Sequence, residues 1–129
     1  RFALGLLDTT IADFGSALNN ANNGNELAFA PQVTANLGGS FEALPRLTVG
    51  GDVAFVGKRF SDYQNTPEDR LPSHAVANLH AQYRIGGFTL TGYVNNVFDR
   101  LVQFSRTTSF NQAYVNDPRT VGVNVKAEF

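Results

Sequence analysis

The sequence predicts an all-β chain, an antiparallel meander of about six membrane-crossing strands that forms part of a larger barrel. Three observations carry that expectation. Apolar and polar residues alternate along five segments, as they do when successive strand side chains point to opposite faces. The connections alternate between very short and long. The charges within the clear strands, Glu42, Asp52, Lys58, Arg84, Lys126 and Glu128, all fall on the polar face. Segments of about 11 residues also match the length a tilted strand needs to cross a bilayer.

Residues 2–14 are assigned as the first strand, with Phe2, Leu4 and Leu6 on one face before Asp8, Thr9 and Thr10 break the pattern. Residues 15–30 are rich in Asn and Gly and read as a loop. Pro31 opens the second strand, 31–42, at a position that needs no ladder donor. There Val33, Ala35, Leu37, Gly39 and Phe41 oppose Thr34, Asn36, Gly38, Ser40 and Glu42. A turn at Leu44-Pro45-Arg46 leads to the third strand, 47–58, and a polar loop follows over 59–73. In the fourth strand, 74–85, Ala75, Ala77, Leu79, Ala81, Tyr83 and Ile85 oppose His74, Val76, Asn78, His80, Gln82 and Arg84. Gly86-Gly87 suits a tight hairpin, because glycine accepts the positive φ such turns require. The fifth strand covers 88–98, a long loop 99–117 and the last strand 118–129.

All three long connections therefore emerge at one end, as in outer-membrane barrels with short periplasmic turns and long outer loops. Outward-facing aromatics sit near both ends: Phe41, Tyr83, Phe88 and Phe129 by the tight turns, Phe55 and Phe98 by the long loops. They approximate two interfacial girdles. At about 4.8 Å per strand, six strands make an arc roughly 29 Å wide, and the smallest common membrane barrels have eight. Further strands are expected from a longer parent chain or a separate polypeptide. The absence of an initiator Met and a signal peptide is read the same way, as a fragment or processed product.

Composition narrows the function. The 129 residues carry a formal net charge of -1 with no basic run, which argues against a nucleic-acid surface. No Cys is present, so disulfides and thiolate metal sites are excluded. His74 and His80 share a face but lie about 20 Å apart at ~3.3 Å per residue, too far for one metal. Asp62, Glu68 and Asp69 are loop carboxylates with no accompanying nucleophile or base. No enzyme activity, cofactor or metal is expected.

The last strand ends in a pattern similar to the insertion signal of bacterial outer-membrane barrels, carried by Thr120, Gly122, Val125, Ala127 and Phe129. Together with Asn96-Val97-Phe98-Asp99 and Pro118-Arg119, and with Ala30-Pro31 and Leu71-Pro72-Ser73 ahead of strands, it resembles the carboxyl-terminal part of TonB-dependent outer-membrane receptors. That family often has a Tyr just after the Phe-Asp pair, where this chain has Leu101 and Val102.

The resemblance implies a twenty-two-stranded barrel around a plug, in the bacterial outer membrane, with this chain as its last six strands. It implies energised uptake of a scarce nutrient, a ferric siderophore or similar chelate first, a carbohydrate or cobalamin as other cargoes. Implied partners are the remaining strands and plug, the TonB complex acting through an amino-terminal part outside this stretch, the barrel-assembly machinery and outer-membrane lipid. Ligand-binding candidates in the loops are Arg59, Tyr63, Arg70, Phe104, Arg106, Phe110 and Tyr114; arginines with aromatics suit an anionic, partly aromatic ligand. Candidates for plug contact in the lumen are Asp52, Arg84, Lys126 and Glu128. Two other readings stay open at this level: a structural or docking piece of an outer-membrane assembly, and a soluble ligand-binding β-domain.

Overall fold

The computed structural model describes residues 1–13 and 20–128. Ten strands run β1 (Phe2–Leu6), β2 (Val33–Leu44), β3 (Leu47–Val56), β4 (Arg59–Phe60), β5 (Arg70–Leu71), β6 (His74–Ile85), β7 (Phe88–Asn95), β8 (Gln103–Thr107), β9 (Gln112–Val115) and β10 (Thr120–Ala127). Six of them form one sheet in the order β1-β2-β3-β6-β7-β10, and β4-β5 and β8-β9 are separate two-stranded ribbons. Every pairing is antiparallel. The large sheet is thus a plain meander, with both ribbons inserted in its long connections.

Register aligns the apolar positions across all six strands. Leu37 pairs with Phe2 and Val53, and Leu79 pairs with Gly51 and Val94, which in turn faces Val121. This face is open: Leu37 is 62% exposed, Leu79 51% and Val121 72%. Among the described residues the buried apolar side chains, Ile11, Leu71 and Val102, all lie in the long connections. A soluble sandwich buries its apolar strand face against a second sheet, and among the described residues no second layer covers this one. An apolar face of this extent on a single layer is the surface of a wall in lipid, with the polar face turned to the barrel interior.

The turns have local causes. Arg46, at φ 70°, closes the β2–β3 hairpin, and its amide donates to Glu42 Oε1 at 3.0 Å. The register shifts between Glu42 and Leu44, a β-bulge beside that turn. At the β6–β7 hairpin Gly86 takes φ 57°.

Strand ends differ from the sequence reading where side chains overrule alternation. The first strand stops at Leu6 rather than running to residue 14. Thr9 Oγ1 instead accepts from the Leu27 amide at 3.2 Å, and the Ile11 amide donates to the Asn25 carbonyl at 2.9 Å. The chain therefore turns back into the loop, and residues 14–19 lie outside the described region. The fifth strand stops at Asn95 rather than 98, because Asn96 is left-handed at φ 51°. Phe98 consequently sits in a turn beyond the strand. The second strand runs to Leu44, the third ends at Val56, and the last covers Thr120–Ala127.

Candidate functional site

The described parts of the long connections, residues 7–13, 20–32, 57–73 and 96–119, form a layer at one rim of the sheet. The first and second are joined by a pair of side chain to backbone bonds that imitates a ladder. Asn65 Oδ1 accepts from the Glu26 amide at 2.7 Å, and Asn65 Nδ2 donates to the Glu26 carbonyl at 3.0 Å. Asn25 Nδ2 donates to the Tyr63 carbonyl at 2.9 Å, and the Phe29 amide to the Phe60 carbonyl at 2.8 Å. Asp62 caps the turn before Pro67, with its carboxylate accepting from the Thr66 amide and hydroxyl. The second and third connections meet at Asp69, whose Oδ1 accepts from the Thr108 amide at 2.8 Å and the Thr108 hydroxyl at 2.5 Å.

The third connection is anchored to the sheet by Asn96, which is buried. Its amide donates to Asn78 Oδ1 on β6 at 3.1 Å. Its Nδ2 donates to the carbonyls of Arg100 and Asp117, and its Oδ1 accepts from the Arg100 amide at 2.9 Å. Asp99 Oδ1 accepts from the Arg119 amide at 2.7 Å. The segment Asn96–Asp99 and the pair Pro118-Arg119 are thus two halves of one join, between the exit of β7 and the start of β10.

The sequence-derived ligand candidates fall into two groups. Tyr63, Arg70, Phe104, Arg106, Phe110 and Tyr114 are exposed. Arg70 lies over the Phe60 ring, with its guanidinium carbon 5.4 Å from the ring centroid, and Arg106 lines a shallow hollow of about 230 Å³ beside Thr108 and Asn111. Arg59 is instead buried. It is 7% exposed, its Nη1 has no acceptor among the described residues, and burial lowers its pKa.

The lumen candidates separate. Arg84, Lys126 and Glu128 gather around the Gly86-Gly87 turn in a hollow of about 440 Å³. Lys126 Nζ donates to Glu128 Oε1 at 2.7 Å, which holds the Glu128 carboxyl below its ordinary pKa. Asp52 lies elsewhere, with Oδ2 accepting from Asn78 Nδ2 at 3.0 Å. It borders a hollow of about 530 Å³ together with Arg1, Ser40 and His80. Gly38 and Gly39 line it without side chains, and the His80 ring packs over Gly50 beside it.

Of the terminal-signal residues, Thr120, Gly122, Val125 and Ala127 lie in β10; Phe129 is outside the described residues. A Cβ at Gly122 would overlap the Tyr93 ring, so glycine has a packing reason there. Sequence reasoning missed Asn65, Asp69 and Asn96 as structural hubs. For Asn65 and Asp69 the signal was Asn or Asp at turns, where these residues bond to nearby main chain, and Asn96 stood in the Asn96-Val97-Phe98-Asp99 motif without its anchoring role being legible.

The family model for the β-barrel of TonB-dependent receptor-like proteins matches residues 2–97. The chain belongs to that family, and its sheet is part of an outer-membrane barrel. Among solved structures, it is similar to the siderophore receptor PiuA from Acinetobacter baumannii, at 27% identity and a TM-score of 0.71 over 81% of the chain. The ferripyoverdine receptor of Pseudomonas aeruginosa is 26% identical, with a TM-score of 0.64 over 82%. BauA, the ferric preacinetobactin receptor from Acinetobacter baumannii, shares the fold at 19% identity and a TM-score of 0.74 over 95%. The chain spans 14%, 15% and 18% of those three proteins respectively.

Proposed function

We propose that this chain is the closing wall of a receptor that takes up an iron chelate, a ferric siderophore or similar complex, by energy relayed through TonB. The observation that carries the reading is the placement of exposed arginines and aromatics on one braced rim of a membrane wall. Arg70 and Arg106 supply charge for an anionic chelate, and Tyr63, Phe104, Phe110 and Tyr114 supply flat surfaces for its aromatic parts. Similarity to siderophore receptors supports the same class of cargo. The remaining strands and the plug complete the site, the assembly machinery reads the end of β10, and the plug meets the lumen residues Asp52, Arg84, Lys126 and Glu128.

The test is binding of ferric catecholate, ferric hydroxamate and ferric citrate to the full-length receptor, followed by uptake in iron-limited cells with and without TonB. One chelate is expected to bind, and its uptake is expected to depend on both the receptor and TonB. Receptor-dependent uptake that persists without TonB, or binding of none of the three, would overturn the reading.

A further inference from the structure

We infer that Asp69 is a positioning residue that fastens the second and third outer connections into one preassembled lip, so that Arg70, Arg106 and Phe110 meet a ligand as a single surface. This rests on the uptake reading above. Asp69 is 7% exposed, and no cation pairs with it among the described residues. A buried carboxylate without a counter-ion is unfavourable unless its oxygens accept hydrogen bonds. Here both bonds to Oδ1 come from Thr108, 39 residues along the chain. The same residue's main-chain carbonyl accepts from the Ser61 amide at 3.2 Å. The Ser61 hydroxyl lies 3.0 Å from that carbonyl and 2.5 Å from the Arg106 carbonyl, and its single proton serves one at a time.

The carboxylate therefore fixes the backbone that carries three ligand candidates: Arg70 follows it, Arg106 is two residues before Thr108, and Phe110 two residues after. Ordering such a segment in advance removes an entropy cost that a ligand otherwise meets on binding. Asn65 extends the same bracing to the first connection.

Hydrogen exchange on the full-length receptor tests the fastening without any ligand. The Ser61 and Thr108 amides are expected to show one common protection factor, each rate being referred to its own intrinsic value. Asp69→Ala should raise both by about tenfold or more, and Asp69→Asn, which keeps Oδ1 as an acceptor, should raise them less. Unequal protection of the two amides in the wild type, or acceleration of Thr108 alone in Asp69→Ala, would overturn it.

The positioning role is read from the chelate that binds in the assay above. Its affinity should fall about tenfold in Asp69→Ala, with the maximal uptake rate unchanged and most of the affinity recovered in Asp69→Asn. Raised exchange with unaltered affinity would make Asp69 a structural clasp only and overturn positioning. Should no chelate bind, the uptake reading fails while the exchange rates still decide the fastening.

Discussion

Asn96 shows how one side chain can end a strand, turn the chain and attach a loop. Its left-handed backbone would be strained with most side chains, and its amide group serves Arg100 in both directions, as donor and as acceptor. Replacing it with Ala loses these bonds and retains the strain, at a cost of about 2–4 kcal/mol. Asn96→Gly accepts the φ and should cost less. Urea unfolding of the full-length receptor, compared at the midpoint, checks the order of the two variants. Glu128 makes a gentler case. Its carboxyl is held below the ordinary value by Lys126, so the small contribution is present above the unfolded pKa and is lost as pH falls through the folded one. Because the pair is exposed, raising salt should move the Glu128 titration back toward the ordinary carboxylate range in an NMR pH series.

At the scale of elements, what alternates was legible and what pairs across the sequence was not. The faces of β2, β3, β6 and β7 followed from period two, since a one-residue slip would send every apolar side chain to the other face. The first strand is shorter than 2–14 because the alternation already breaks at Asp8-Thr9-Thr10, where Thr9 bonds to Leu27 instead of continuing the ladder. Asp69 and Asn65 were equally hidden, because each acts on a partner 39 residues away. Arg59, a ligand-binding candidate on its loop position alone, is buried beside Leu71 in the β4–β5 ribbon.

Two predictions belong at the scale of elements. Leu79→Arg, at mid-strand on the lipid face, should destabilise the receptor by about 2–4 kcal/mol in bilayers, whereas Asn124→Arg on the lumen face should cost much less. Gly122→Val should displace the Tyr93 ring, and its unfolding cost should fall well short of additive with that of Tyr93→Ala, because both remove one contact. Full additivity in a double-mutant cycle would show that the ring and the glycine act independently.

The whole molecule is a two-faced wall with a braced rim. Its edge strands, β1 and β10, each pair on one side only among the described residues. Unsatisfied ladder groups in hydrocarbon cost several kcal/mol each, so both edges are places for further strands. On the proposal that the assembly machinery reads the end of β10, deleting Phe129 should reduce the amount of folded receptor in the outer membrane without reducing synthesis, as read by fractionation against total protein. The most direct measurement of the two-faced wall is single-cysteine labelling along β6 in the assembled receptor, with fluorescence quenching by a lipid-dissolved quencher. Labels at 75, 77, 79, 81 and 83 should be quenched from the lipid, and labels at 76, 78, 80, 82 and 84 should not. Quenching without that two-residue period would contradict the account.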